Sequence, residues 1–130
     1  MKTKFDTYSE MKNLQMNQDT YKLRRDVMNI IYEAKKLKNI PRVSVRITED
    51  SPDTLGAGRM KGNIIWISKR AVKNRNLRTI VYHELLHTCY GVDHQKGDIL
   101  MDPRLRGGLT KEQVQKRFVY WANKAERDKK

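Results

Sequence analysis

The most informative segment of the chain is residues 83–94, which read His83-Glu84-Leu85-Leu86-His87-Thr88-Cys89-Tyr90-Gly91-Val92-Asp93-His94. All three histidines of the 130-residue chain lie in this segment. Because His83 and His87 are four residues apart, a helix places both on one face, where their imidazoles can bind one Zn²⁺ ion. Gly91 then allows a sharp turn that brings His94 back as a third ligand. Three protein ligands leave the fourth coordination position open for water, which is typical of a catalytic zinc site.

Glu84 follows His83 and completes an H-E-x-x-H motif. A glutamate at this place lies beside the two imidazoles and takes a proton from the reacting water without binding the metal. The motif alone is short enough to occur by chance, but here a glycine turn and a third histidine follow it. Cys89 is not an expected ligand, because two helical residues turn its side chain about 200° away from that of His87. We predict that it is a buried core thiol.

Helical and strand patterns surround this segment. Asn76 can cap a helix that runs through Tyr90 and ends at Gly91. Apolar residues alternate with polar ones over residues 43–47, which predicts a half-buried strand, and a second apolar strand is predicted over residues 64–68. Between them, Leu55 to Met60 can be extended despite two glycines, and residues 61–63 form a plausible turn.

Two further helices are predicted at the ends of the chain. Asp19 or Thr20 can cap the first, and Pro41 prevents its continuation. Its apolar stripe consists of Leu23, Val27, Ile30, Ile31, Ala34 and Leu37. The last helix starts at Thr110, which forms a capping-box pattern with Gln113. The buried face of that helix is predicted to contain Val114, Phe118, Trp121, Ala122 and Ala125.

This order of elements predicts a small α+β domain: an N-terminal helix, a short mixed sheet, the histidine-bearing helix and a C-terminal helix. We expect residues 1–18 to be a polar N-terminal arm, with a short helix as the alternative, and residues 19–130 to form a single domain. Only 38% of the residues are hydrophobic, and no window approaches the roughly 18 apolar residues that a membrane-spanning helix needs. The N-terminus lacks the apolar core of a secretion signal, and the single cysteine fits a reducing compartment.

The net charge of +13 favours acidic or phosphate-rich partners. It is densest over residues 69–78, where five basic residues occur without an acid. This stretch is a candidate contact for nucleic acid or an acidic protein, but we favour the interpretation that it is a solvated helix face.

Together with Ile99-Leu100-Met101-Asp102-Pro103, the histidine segment resembles the metzincin zinc peptidases, and most of all the matrixins. The resemblance is strongest over residues 83–103 and, with weaker flanks, spans residues 55–122. It implies a zincin-like fold, a bound Zn²⁺ ion and hydrolysis of protein or peptide substrates. In that family a Met-turn lies beneath the metal, and Met101 stands at the corresponding position.

The resemblance also implies where a substrate would bind. Pro103, Arg104 and Leu105 stand where the family forms the outer wall of its main specificity pocket. An edge strand that would hold the substrate in extended form contains Gly56, Ala57, Gly58 and Arg59. Tyr82 and Tyr90 flank the motif; either can reach a developing oxyanion, although we expect packing roles for both. We expect Asp98 and Asp102 to be turn residues and not ligands.

The chain departs from the metzincin pattern at one point. The gap between His87 and Gly91 is one residue longer, so a bulge or a looser last helical turn must absorb the extra residue. The same shift places Asp93 at the family's third-ligand offset from His83, and some metzincins use Asp there. We favour His94, because it keeps its offset from Gly91. The absence of a secretion signal and of a cysteine switch disfavours a secreted, latent protease, so we expect a cytoplasmic or virion-associated protein.

Three alternatives stay open. The residues Gly91 to His94 are similar to the Gly-Tyr-Asp-His of YbeY-type endoribonucleases, which use three histidines but normally lack a glutamate at the place of Glu84. The SprT-like proteases, which cut proteins crosslinked to DNA, share the strand, the H-E-x-x-H helix and the basic character. A third alternative is a phage virion or scaffold protein that retains the zincin fold without turnover. Such a protein has no chemical need for Glu84.

Overall fold

The computed structural model describes residues 8–49, 63–69, 72, 76–104 and 108–128, with side chains from residue 18 onward. Five elements follow one another along the chain: α1 (Tyr8–Leu37), β1 (Ser44–Thr48), β2 (Ile64–Ser68), α2 (Leu77–Tyr90) and α3 (Lys111–Asp128). This arrangement confirms the predicted small α+β fold. None of the helices in the described part of the chain combines the length and the apolar character needed to cross a membrane.

The two strands pair in parallel, with Ser44 opposite Ile64 and Thr48 opposite Ser68. Parallel neighbours need a connection longer than a hairpin turn, and residues 49–63 supply it. Ile65 and Ile67 on β2 are fully buried, which fits the apolar run from which this strand was predicted. The strand that would make the sheet mixed was predicted over residues 55–60, which lie outside the described residues.

The core lies where α2 contacts α1, β2 and α3. Its members are buried aliphatic and aromatic side chains at helical spacing on the three helices. The largest fully buried ones include Ile31 on α1, Tyr82 and Leu85 on α2, and Phe118 on α3. Because α2 is buried on most sides, the histidines that it bears have a rigid support.

The ends of α2 and α3 agree with the sequence patterns. The Asn76 side chain accepts a hydrogen bond from the Thr79 backbone N–H at 3.3 Å, and Gly91 ends α2 in the left-handed conformation with φ of 65°. At the start of α3, Thr110 and Gln113 exchange the two capping-box hydrogen bonds, at 2.9 and 3.1 Å. These contacts satisfy backbone groups that a helix leaves unpaired at its ends.

The start of α1 was predicted incorrectly. The helix begins at Tyr8, so it includes most of the segment that we assigned to an N-terminal arm, and it passes Asp19 and Thr20 without a break. No glycine or proline occurs between Tyr8 and Leu37, and nothing in this stretch therefore interrupts a helix once it has formed. A possible capping residue is not sufficient evidence for a helix start when helix-forming residues precede it.

Candidate metal centre

The structure brings the three histidines together. One nitrogen from each of His83, His87 and His94 lies within 4.8 Å of the others, a grouping that could hold a metal ion. His83 is buried, His87 is half-buried and His94 is exposed, so the group opens toward solvent on the His94 side. Asp93 is exposed and does not belong to this group. The geometry therefore favours His94 over Asp93 as the third ligand.

Backbone carbonyls orient the two helix histidines. Nδ1 of His83 lies 2.7 Å from the Leu100 carbonyl oxygen, and Nδ1 of His87 lies 2.6 Å from the Val92 carbonyl oxygen. Because a carbonyl oxygen only accepts hydrogen bonds, each Nδ1 must carry the proton and donate it. In the neutral rings the Nε2 atoms then carry the lone pairs that a metal ion needs.

The two Nε2 atoms are close enough to share one ion. They lie 3.0 Å apart. Two nitrogens bound to one tetrahedral Zn²⁺ at about 2.0–2.1 Å are separated by about 3.3–3.4 Å, so only a small adjustment is needed. With Nδ1 protonated on both neutral rings, this contact places two lone pairs toward each other, and a cation between them removes the repulsion. The donor set thus fits a bound metal ion.

The last turn of α2 is wider than an ordinary helix end. In an ordinary Schellman motif, the hydrogen bond that closes the helix end spans six residues. Here the Val92 N–H donates to the Leu86 carbonyl at 3.0 Å, a loop of seven residues, while the Gly91 N–H donates to His87 at 3.2 Å. Beyond this wider last turn the chain returns so that His94 faces His87, with ring centres 4.7 Å apart.

A compact turn presents the carbonyl that holds His83. One carboxylate oxygen of Asp98 accepts hydrogen bonds from the backbone N–H groups of Leu100 and Met101, at 3.0 and 2.9 Å. Asp102 accepts from the Gly97 N–H at 2.7 Å and from the Arg104 N–H at 2.8 Å. Both aspartates are thus turn residues, as predicted from the sequence.

Met101 is fully buried and directly follows the Leu100 carbonyl. Pro103 and Arg104 are exposed, and the Arg104 guanidinium folds back onto Asp102. Hydrogen bonds from the side chain of Arg104, and from the backbone N–H groups of Arg104 and Gly97, hold the pKa of Asp102 below its usual range. Arg104, the second residue of the predicted pocket wall, therefore has its charge already paired within the turn.

Asp98 also receives two side chains from α3. Arg117 Nε donates to Oδ1 at 2.6 Å, a second guanidinium nitrogen contacts the same oxygen, and Trp121 Nε1 donates to Oδ2 at 3.1 Å. Burial acts to raise the pKa of Asp98, but these hydrogen bonds and those from Leu100 and Met101 outweigh it and lower the pKa. Asp98 is therefore a buried carboxylate that stays ionised and joins α3 to the turn.

The other side chains in and beside the motif differ in burial and in partners. Glu84 is half-buried on α2, one residue beyond His83. The Tyr82 hydroxyl donates to Glu33 Oε2 at 2.8 Å, and its ring packs edge-on against Phe118. Burial raises the pKa of the Cys89 thiol to about 11, and Cys89 is absent from the group of described residues that could hold a metal. Tyr82 is thus a core residue, as expected, whereas Cys89 is half-buried and packs against the core, so the expectation of a buried thiol holds only in part.

Several predicted site residues lie outside the described residues: Gly56, Ala57, Gly58, Arg59 and Leu105. Of the basic stretch 69–78, Lys69 contacts Glu49 at 3.1 Å and Arg78 contacts Glu33 at 3.0 Å. These two cations are therefore paired within the domain and do not form an unopposed positive surface.

Sequence reasoning missed the groups that orient the histidines. The carbonyls of Leu100 and Val92 belong to the backbone, so no residue type signals them. Asp98 was expected to be a turn residue, but its contacts with Arg117 and Trp121 cross from the turn to α3. Comparison of the chain with protein-family models, with curated proteins and with solved structures gave no match.

Proposed function

We propose that this chain is a zinc-dependent endopeptidase in which His83, His87 and His94 bind Zn²⁺ and Glu84 is the general base. The observation that carries the proposal is the orientation of His83 and His87, whose Nδ1 atoms are hydrogen-bonded to backbone carbonyls while their Nε2 atoms lie 3.0 Å apart. Imidazole ligands suit Zn²⁺, whereas Mg²⁺ and Ca²⁺ prefer oxygen ligands.

Glu84 supplies the proton transfers in this proposal. When bound, Zn²⁺ polarises the scissile carbonyl and makes a neighbouring water molecule more acidic. Glu84 follows His83, so its side chain is rotated about 100° from that ligand and does not compete for the metal. It takes the proton of the attacking water and then delivers it to the leaving amine.

The resemblance to metzincins suggests how the substrate would be held. An extended peptide would pair with the predicted edge strand that contains Gly58, and Met101 would support the metal ligands from below. Pro103, Arg104 and Leu105 would border the pocket for one substrate side chain. Main-chain pairing of this kind orients the scissile bond with little dependence on the substrate's sequence.

Two observations favour peptide over RNA as the substrate. Glu84 provides the general base of the H-E-x-x-H peptidases, which YbeY-type endoribonucleases normally lack. Lys69 and Arg78 are already engaged with Glu49 and Glu33, which reduces the positive field that their stretch can offer to phosphates. The net charge of +13 supports the endoribonuclease alternative, but long-range charge steers a partner without defining which bond breaks.

Metal binding is tested with zinc titration of the purified chain. We expect one Zn²⁺ per chain, loss of the ion on chelation and its return on adding zinc. His94→Asn should weaken zinc binding by about a hundredfold or more, because it removes one of three ligands. Asp93→Asn is the matched control, since it changes the adjacent exposed residue, and it should bind zinc as the wild type does. The opposite result for these two variants would assign the third position to Asp93.

The reaction is tested with Glu84→Gln, which keeps the shape of the side chain and removes its basicity. We expect cleavage of an unfolded protein substrate to fall by about 10²–10⁴-fold while zinc affinity is unchanged. The wild type and the variant are also incubated with a structured RNA. Zinc-dependent RNA cleavage that requires Glu84, without proteolysis, would establish the endoribonuclease instead. Full activity of the variant on either substrate would contradict the role of Glu84.

A further inference from the structure

We propose that Asp98 is the positioning residue of the histidine site, and that Arg117 and Trp121 hold it there from α3. In this proposal Asp98 sets both the direction of the His83 ring and the nitrogen that carries its proton. The inference rests on the metal site of the proposed function. It makes the C-terminal helix a part of that site although the helix contributes no ligand.

The first step is the effect of Asp98 on its own turn. Oδ2 of Asp98 accepts the N–H groups of Leu100 and Met101, which are successive residues, so both peptide planes are fixed relative to one carboxylate. The peptide that includes the Leu100 carbonyl also includes the Met101 N–H. Holding that N–H therefore fixes the direction in which the Leu100 carbonyl points.

The second step is the effect of that carbonyl on His83. The Leu100 oxygen lies 2.7 Å from Nδ1, a distance that requires a donated proton at Nδ1. A ring with its proton on Nδ1 has its lone pair on Nε2, on the side that faces His87 and His94. If the carbonyl turned away, water would become the partner of Nδ1, and the ring would be free to exchange tautomers and to rotate.

The third step is the hold of α3 on Asp98. The carboxylate is buried, and its oxygens accept side-chain donors from Arg117 and Trp121 as well as the two backbone N–H groups. Arg117 is itself confined, because its guanidinium lies 4.4 Å from the ring centre of Tyr120 and 5.3 Å from that of Trp121. Donors from the turn and from α3 therefore fix the position of the Asp98 carboxylate.

The experiment compares zinc affinity and the His83 tautomer in three variants of the full chain. Asp98→Asn replaces an acceptor oxygen with an NH₂ group and should weaken zinc binding by about 10–100-fold, as for other groups that orient a ligand from behind. Trp121→Phe keeps an aromatic side chain but loses the indole N–H that donates to Asp98, so the loss should be about two- to tenfold. The matched control is Glu33→Gln, which removes a half-buried charge whose partners Arg78, Tyr82 and Lys111 lie on α2 and α3 and not in the turn. It should leave zinc affinity unchanged.

The tautomer is measured without zinc, by long-range ¹H–¹⁵N NMR at a pH where the ring is neutral. The wild type should show the proton of His83 on Nδ1, and Asp98→Asn should show a mixture of the two tautomers. A structural role alone would reduce stability in all three variants without moving this signal. If Asp98→Asn does not fold, Trp121→Phe carries the same test with a smaller shift.

The outcomes separate this inference from the proposed function. Unchanged zinc affinity and an unchanged tautomer in Asp98→Asn and Trp121→Phe would overturn the inference while leaving the zinc site intact. An equal loss of zinc affinity in Glu33→Gln would also overturn it, since the effect would then follow general destabilisation. A wild-type chain that binds no zinc would contradict the proposed function, and the tautomer measurement would still decide whether Asp98 orients His83.

Discussion

Two carboxylates, the half-buried Glu33 on α1 and the buried Asp98 in the turn that follows α2, have similar contacts but different effects. The Glu33 cluster consists of Glu33 with Arg78, Tyr82 and Lys111, which donate to its carboxylate at 3.0, 2.8 and 3.2 Å. The Asp98 cluster consists of Asp98 with Arg117, Trp121 and the N–H groups of Leu100 and Met101. Each cluster ties α3 to the rest of the fold.

The difference lies in what the partners are. All three donors to Glu33 are side chains on helices or beside them, so this cluster joins elements whose own shapes are already fixed. Two of the donors to Asp98 are backbone groups of a turn that has no ladder of regular hydrogen bonds. The Asp98 cluster therefore determines a backbone conformation, and the direction of the Leu100 carbonyl is part of it. Similar hydrogen-bonded carboxylates therefore stabilise the packing of helices in the Glu33 cluster and can orient a candidate metal-binding residue in the Asp98 cluster.

Phe118→Ala should have the largest effect, because it disturbs both clusters. Phe118 is fully buried on α3 and packs edge-on against Tyr82. We expect a loss of about 3–5 kcal/mol in the free energy of unfolding, measured by urea titration, together with weaker zinc binding. Lys116→Ala on the exposed side of the same helix is the control and should change stability by no more than about 0.5 kcal/mol. Equal effects of the two variants would mean that α3 is not held by this packing.

Glu33→Gln should separate stability from the metal site. The variant keeps the shape of the side chain but weakens three charge-assisted hydrogen bonds, and we expect a loss of about 2 kcal/mol at neutral pH. Urea unfolding measures this loss in the metal-free protein, so that zinc does not contribute. A variant as stable as the wild type would show that the Glu33 cluster adds no net stability. The structural role assigned to that cluster would then be wrong.

Tyr82→Phe makes a smaller change in the same cluster. It removes only the hydroxyl that donates to Glu33, so we expect a loss of about 1 kcal/mol in the free energy of unfolding. If the proposed function holds, peptidase activity should stay within about twofold of the wild type, since the hydroxyl is committed to Glu33 and not to a reacting group. A large fall in kcat with unchanged stability would instead give Tyr82 a role at the oxyanion.

The pH dependence of Glu33 provides the finest test. Burial acts to raise the pKa of Glu33, but hydrogen bonds from Arg78, Tyr82 and Lys111 outweigh it and lower the pKa below the ordinary 4.5. A lowered folded-state pKa contributes stability that is fully present above pH 4.5 and is lost as the pH falls through the folded-state value. The stability difference between the wild type and Glu33→Gln should therefore shrink below this pH. A difference that grows on acidification would contradict the assigned partners.

The sequence was sufficient to predict those features of the structure that depend on contacts between residues close together in the chain. The bounds of α2, its caps at Asn76 and Gly91, and the capping box of Thr110 and Gln113 all depend on residues within one or two helical turns. Strand β2 was predicted at its observed bounds, because a short apolar run between turn residues has few alternatives. The grouping of His94 with His83 and His87 followed from the glycine that reverses the chain.

Contacts between distant parts of the chain had no such signal. Asp98 and Trp121, or Glu33 and Tyr82, are separated by many residues, and a carboxylate on a helix or in a turn does not show which donor will reach it. The three histidines that could hold a metal ion could therefore be named from the sequence, whereas the groups that orient His83 and His87 could not. The prediction of the start of α1 was wrong because local capping residues were given more weight than the helix-forming residues that precede them.

The dependence of His83 on α3 has a consequence for synthesis of the protein. The ribosome adds His83, His87 and His94 before it adds Arg117 and Trp121. A nascent chain thus contains every proposed ligand while the carboxylate that fixes the Leu100 carbonyl still lacks its partners. Tight metal capture is then expected only after the C-terminal helix has been translated and has docked. Such timing would protect the emerging chain from taking up an ion in a wrong geometry, and it would couple the onset of activity to the completion of folding.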